Sequence, residues 1–301
     1  MAEQGNVRFT GVMPALVTPL RADESLNEAA VQQLIRWHLS EGMDGFYICG
    51  GTGEGPGLQK HVRMQMAEAA CAETRGRGSV IVHVGAIDLV TARELARHAG
   101  QVGADAVSSV PPFFFGYGEA EIRQYYMELS EASGLPVIMY ASPLAGVNIT
   151  WDMVDRLMDV PNMIGLKWTS SDYYTMGRIK ELRGGNINVL NGPDETLLLG
   201  LVMGADGGIG ATYNIIPRVI RRIWDSYRAG DLQTAREAQF QVDHLIHVLV
   251  RYGVVPAVKE ILNMLGYACG SCVAPAKRLS SGERSALRAD LDALSFETVY
   301  L

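Results

Sequence analysis

The sequence predicts an α/β protein, a (β/α)₈ TIM barrel followed by a C-terminal helical extension. Three observations predict it. Eight short apolar segments, at 11–17, 45–49, 80–84, 106–110, 136–140, 164–168, 187–190 and 207–211, lack clean alternation. That is the pattern of strands buried on both faces in a parallel sheet. Helical patterns at 28–40, 89–100, 119–132, 151–159, 171–182 and 195–203 alternate with them, the first preceded by Asn27 as its expected cap. Gly103-Ala104-Asp105-Ala106 and Gly204-Ala205-Asp206-Gly207 read as matching turns from a helix into the next strand, the recurrence of a repeated βα unit. An open doubly wound sheet is the alternative, and eight regular units favour closure. Residues 1–216 then form the barrel. Residues 217–301 exceed what one closing helix needs and supply that helix plus an extension, with helices at 219–229, 232–252, 256–265 and 282–294.

The composition narrows the class. With 301 residues, 48% hydrophobic and 20% charged, the chain can bury a large core. A formal net charge of −7 argues against a nucleic-acid or anionic-membrane surface. The sequence has no apolar run of bilayer-spanning length, and residues 1–6 lack a basic-then-apolar signal pattern. Four cysteines, Cys49, Cys71, Cys269 and Cys272, do not make a disulfide scaffold at this length, so a cytoplasmic, reducing home is expected.

The chemistry centres on Lys167, which interrupts an apolar strand near its C-terminal end. Burying an ammonium is costly, which favours the neutral amine. A neutral amine beside a polar cavity can attack a carbonyl carbon and form a Schiff base. A strand-end lysine that snorkels to water is the bland alternative. In a barrel the site lies at the C-terminal strand ends, where Thr52, Glu54, Tyr140, Asp194, Glu195, Thr212, Tyr213 and Asn214 can join Lys167. Gly50-Gly51-Thr52-Gly53-Glu54-Gly55 lacks the ending of a nucleotide-binding loop and the spacing of a dinucleotide fingerprint. Its amides and the Thr52 hydroxyl suit a small carboxylate, or it is a plain tight turn. Tyr140 could shuttle protons beside the amine or merely plug the rim. Asp194 and Glu195 could meet a polyhydroxylated ligand or cap the following helix. Cys269-Gly270-Ser271-Cys272 has no second pair, and His244 and His247 have no evident third ligand, so neither motif predicts a metal site. Phe113-Phe114-Phe115 reads as an apolar lid or interface plug.

Together these motifs, from about residue 11 to 265, resemble the N-acetylneuraminate lyase and dihydrodipicolinate synthase superfamily of class I aldolases. The order is Gly-Thr-Gly-Glu at 51–54 with its flanking glycines, then Tyr140, Lys167 and Gly192-Pro193-Asp194-Glu195. The resemblance implies a barrel with a helical extension, usually a homotetramer, acting on a small keto acid without metal or organic cofactor. It implies Lys167 as the Schiff-base residue and Tyr140 as acid/base, with Gly51 and Thr52 at the pyruvate-type carboxylate. The segments Lys167–Tyr174, Gly192–Glu195 and Gly210–Asn214 are most similar to the sialic acid lyase branch. That implies Thr169, Gly192, Asp194, Glu195 and Ala211 around the sugar, and reversible cleavage of N-acetylneuraminate to pyruvate and N-acetylmannosamine. The synthase branch places an arginine shortly after the tyrosine; Pro143-Leu144-Ala145-Gly146-Val147 has none. Gly51 stands where a Ser or Thr hydroxyl is usual, Ala211 where lyases often have Ser, and Phe114 and Phe115 where some relatives carry tyrosines. An aldolase or dehydratase for another 2-keto-3-deoxy sugar acid, or a non-catalytic keto-acid sensor, are the other expectations.

Overall fold

The computed structural model describes residues 8–143 and 146–301. Eight parallel strands run β1 (Gly11–Pro14), β2 (Gly45–Ile48), β3 (Ser79–His83), β4 (Ala106–Ser109), β5 (Val137–Ala141), β6 (Met163–Trp168), β7 (Asn188–Asn191) and β8 (Gly207–Gly210). From β2 to β8 each pairs with its sequence neighbour, and β8 returns to pair with β1. The last seam, between β1 and β2, is held by a parallel bridge of Ala15 to Tyr47 and by Leu16 N–H donating to the Tyr47 carbonyl at 2.9 Å. The barrel predicted from continuous apolar segments is therefore the observed architecture.

Burial on both faces splits the core in two. Inside the barrel Met13, Tyr47, Ile81, Ile138, Leu190 and Ile209 pack together. Outside, the other strand face packs against the helical ring, where a larger cluster forms. That ring comprises α1 (Glu28–Ser40), α2 (Lys60–Thr74), α3 (Leu89–Gln101), α4 (Glu119–Ser133), α5 (Trp151–Leu157), α6 (Tyr173–Glu181), α7 (Leu197–Val202) and α8 (Pro217–Arg228). Asp88, Thr150 and Asp172 cap α3, α5 and α6 by accepting from Thr91, Met153 and Thr175 N–H. One polar device recurs at the strand starts. Asp44, Asp105 and Asp206 each precede an even-numbered strand and accept from the backbone N–H of Val12, Val80 and Val189 on the strand before it, at 2.7–2.9 Å. A backbone donor at the barrel floor is thus satisfied without a further ladder partner.

The extension holds α9 (Leu232–Tyr252), α10 (Val254–Met264), α11 (Ser281–Ala293) and α12 (Phe296–Val299). The sequence reading stands corrected at two points. It has no helix between the second and third strands, where α2 lies. The buried face of α2 mixes Val62, Met66 and three alanines with Arg63 and Thr74, so its apolar stripe has little contrast. Asn27 stands at the N-cap position of α1 but makes no side-chain capping bond; its amide instead donates to the Ala268 carbonyl at 2.9 Å and ties the barrel to the extension. Among the described residues no helix is long and apolar enough to cross a membrane.

Candidate active site

The mouth is built from strand ends. Lys167 and Tyr140 are register partners on β6 and β5. Both side chains therefore leave the sheet on the same side, at adjacent positions. Lys167 is 5% exposed, and its Nζ lies 4.5 Å from the Tyr140 ring centre and 4.6 Å from that of Tyr47. It does not snorkel to water. At these distances the ring faces can stabilise positive charge on the nitrogen, which is the charge an iminium carries.

Two neighbours of Lys167 are absent from the sequence-derived list of site residues. Tyr47, fully buried, donates its hydroxyl to Ser108 Oγ at 3.0 Å. His83 ends β3 and sits edge-on to Tyr140, ring centres 6.1 Å apart. Burial, then the charges of Arg63 and Lys167, push the His83 imidazole down to about 3, so it is neutral across the physiological range. Its Nε2 faces Val110 N–H at 3.4 Å, a long contact. A polar residue ending a barrel strand is the signal that could have found His83. Tyr47 lies inside an apolar run and gave none.

The turn after β2 carries Gly51 and Thr52. Gly51 is exposed, and a Cβ built there would meet nothing within 4 Å. Thr52 is half-buried beside it. Glu54 turns away from the mouth to a buried ion pair with Lys259 of α10, at 2.9 Å.

Around the mouth on the β6–β8 side lies a cavity of about 490 Å³, lined by Thr169, Gly192, Asp194, Glu195, Ala211 and Thr212, with Ile246 and Val254 of the extension. A second, of about 350 Å³, shares Thr169 and Ser170 and reaches Ser142, Asn148 and Ile149. Thus all five residues expected around a sugar line one cavity. Asp194 is buried, and its carboxylate accepts from Ala211 N–H at 3.1 Å and Thr212 N–H at 2.6 Å. It pins the β8 loop rather than capping α7, and burial raises its proton affinity. Glu195 is exposed at the cavity edge. The Thr169 hydroxyl is buried without a hydrogen-bond partner among the described residues, whereas the Thr212 hydroxyl lies against the Asp194 carboxylate. Both residues line this cavity. Thr212 belongs with the five. Gly192 makes room for the Thr169 hydroxyl: a Cβ there would lie 2.0 Å from Thr169 Oγ1.

Other motifs fall away from the mouth. Cys269 and Cys272 are buried free thiols pushed up to about 12 and about 11 by burial, which removes thiolate reactivity at neutral pH. Asp206 binds Lys180 Nζ at 2.6 Å at the N-terminal end of β8, so the glycine-rich turn there lies on the opposite rim. Leu144 and Ala145, in the segment lacking arginine, lie outside the described residues, as do residues 1–7.

The model of the dihydrodipicolinate synthetase family matches residues 8–294. The chain belongs to that family. It is 34% identical to an N-acetylneuraminate lyase of Rhizobium meliloti over 282 residues, 94% of each chain. Among solved structures, it resembles a sialic acid aldolase of Ruminococcus gnavus with a TM-score of 0.93 at 27% identity, covering 97% of this chain and 99% of that one. It also resembles YagE of E. coli K12, a family member solved in complex with pyruvate, with a TM-score of 0.90 at 27% identity, covering 96% and 99%. The family resemblance drawn from the strand-end motifs is therefore correct.

Proposed function

We propose that the protein is a Schiff-base aldolase that cleaves N-acetylneuraminate reversibly to pyruvate and N-acetylmannosamine. One observation carries the reading: a buried lysine, one residue from the C-terminal end of β6, holds its nitrogen against the ring of Tyr140. The open-chain keto acid binds with its carboxylate at the Gly51 and Thr52 amides and the Thr52 hydroxyl. Lys167 Nζ attacks C2; loss of water gives the iminium. As the C3–C4 bond breaks, its electron pair flows into the iminium and forms an enamine. Tyr140, with the substrate carboxylate, takes the C4 hydroxyl proton, so the departing fragment leaves as an aldehyde. Protonation of the enamine at C3 and hydrolysis release pyruvate and return the amine. The imine serves as electron sink.

The aldehyde half would occupy the cavity of Thr169, Gly192, Asp194, Glu195, Ala211 and Thr212. Among its described lining residues there is no lysine or arginine, and the same holds for the adjoining cavity. That supports a neutral polyol tail over a second carboxylate, as in the synthase-type condensation, or a phosphate. The curated relatives named as N-acetylneuraminate lyases support the substrate. Steady-state rates on N-acetylneuraminate against 2-keto-3-deoxygluconate test it. A higher kcat/KM for N-acetylneuraminate is expected; a large preference for 2-keto-3-deoxygluconate would replace the substrate and leave the lysine chemistry standing. Gly51 and Ala211, each lacking a hydroxyl, are what favour that second reading.

The working form would be a homotetramer in the cytoplasm, where four free cysteines stay reduced. Phe114 and Phe115, 82% and 63% exposed in the loop after β4, stack edge-on, and Ile87 and Val90 are exposed in and beside the neighbouring loop after β3. Phe114 also holds a left-handed φ of 82°, a strained conformation for a bulky residue. An exposed aromatic held under strain supports a subunit contact there.

A further inference from the structure

The turn after β2 has glycine at 50, 51, 53 and 55. Such a stretch has little conformational preference of its own and loses more entropy on ordering than any other composition. Yet it is held from three directions. Thr18, just beyond β1, donates its hydroxyl to the Gly53 carbonyl at 2.6 Å. Glu54, at a left-handed φ of 57°, accepts from Lys259 Nζ at 2.9 Å through one carboxylate oxygen and from Val273 N–H at 2.7 Å through the other. Lys259 is 1% exposed and spends its remaining donors on the Thr18 and Ser271 carbonyls, at 2.9 and 2.7 Å. The ammonium thus bridges the loop after β1, the turn after β2 and the 269–273 segment of the extension.

A buried ion pair is a poor source of net stability, because desolvation offsets most of the attraction. What it supplies here is a fixed position. We propose that Glu54 and Lys259 are positioning residues that clamp the β2 turn, so that the Gly51 and Thr52 amides and the Thr52 hydroxyl meet the keto-acid carboxylate in one geometry. This rests on the carboxylate subsite given under the proposed function. The same helix, α10, starts at Val254 on the wall of the aldehyde cavity. Five residues of helix, about 7.5 Å of rise, therefore link the two halves of the site, and the extension is part of the active-site frame.

The test measures the pyruvate concentration that half-saturates borohydride trapping, the extent of trapping at saturation, and KM for the aldehyde, in the full-length chain. The clamp predicts that Glu54→Gln raises half-saturating pyruvate about tenfold, as expected for a small misplacement of a binding group. Trapping at saturating pyruvate and the aldehyde KM stay near the parent's. Thr18→Val, uncharged and close in shape, raises half-saturating pyruvate in the same direction, and decides alone if Glu54→Gln does not fold. Half-saturating pyruvate within twofold of the parent in the folded variants overturns the clamp, whatever happens to melting temperature. Thr52→Val separates the two levels. If it leaves pyruvate affinity unchanged, the carboxylate subsite is wrong and the clamp falls with it. If it weakens pyruvate while Glu54→Gln and Thr18→Val do not, the clamp alone is wrong.

Discussion

At the scale of single residues, the chemistry turns on an amine with aromatic rings for neighbours. Lys167→Ala removes the nucleophile without touching the external helical packing. The expected outcome is loss of turnover with an unchanged far-ultraviolet circular dichroism spectrum. Tyr140→Phe keeps the ring against the nitrogen and removes only the hydroxyl. Turnover should fall by about 10²–10⁴, the usual contribution of a general acid–base group, while pyruvate trapping persists. Near-parent turnover would remove Tyr140 from the proton path. Gly51 offers a gain-of-function test, because a side chain there enters open space. Gly51→Ser should lower half-saturating pyruvate by about fivefold, the worth of one hydrogen bond near 1 kcal/mol; an increase would argue that the turn faces elsewhere. Lys167 and Tyr140 were legible because each is a polar interruption at the end of an apolar strand. Tyr47 was not, since an aromatic inside an apolar strand looks the same whether it fills a barrel or lines a site.

At the scale of elements, the loops after β6, β7 and β8 act as one unit. Asp194 reaches from the β7 loop to two amides of the β8 loop, and Gly192 lets the Thr169 hydroxyl sit against the β7 loop. Gly192→Ala should displace that hydroxyl, raising KM for the sugar acid while leaving pyruvate trapping intact. Equal loss on both would mean the change had spread beyond the aldehyde cavity. The strands were legible to within a few residues because burial on both faces leaves a dense apolar signature. Helix α2 was not, because its buried face spends Arg63 on the Gly85 and His83 carbonyls, at 3.0 and 2.8 Å, and mixes three alanines and Thr74 with Val62, Met66 and Cys71. Glu54 and Asp194 were legible as polar residues following barrel strands but not in their partners. Those partners lie 205 and 18 residues away in sequence, and only the closed barrel brings them close.

At the scale of the whole molecule, two buried imidazoles set the acid limit. Burial pushes His38 down to about 4 and His83 to about 3, against about 6.5 in an unfolded chain. Below 6.5 the unfolded state binds protons that the native state refuses, so stability is full above that pH and falls as pH drops. Between about pH 6 and 5 the two together should approach a slope of about 2.7 kcal/mol per pH unit, two protons at about 1.36 each. Urea unfolding at pH 7, 6 and 5 measures it; a flat profile would mean the imidazoles are charged in the native state. Asp194, raised by burial, works in the opposite direction only within the carboxylate range. The division of labour is also clear at this scale. The barrel supplies the strand ends, and the extension supplies Ile246 and Val254 to the cavity wall and Lys259 to Glu54 beneath the β2 turn. Residues 217–301, read from the sequence as the closing helix and an extension, thus also contribute to the frame of the site.

The most direct measurement is to incubate the protein with pyruvate and borohydride, digest it and locate the adduct by mass spectrometry. The account predicts one reduced pyruvate adduct, on the peptide containing Lys167, and none in Lys167→Ala. An unmodified chain, or an adduct on another lysine such as Lys180 or Lys259, would contradict it.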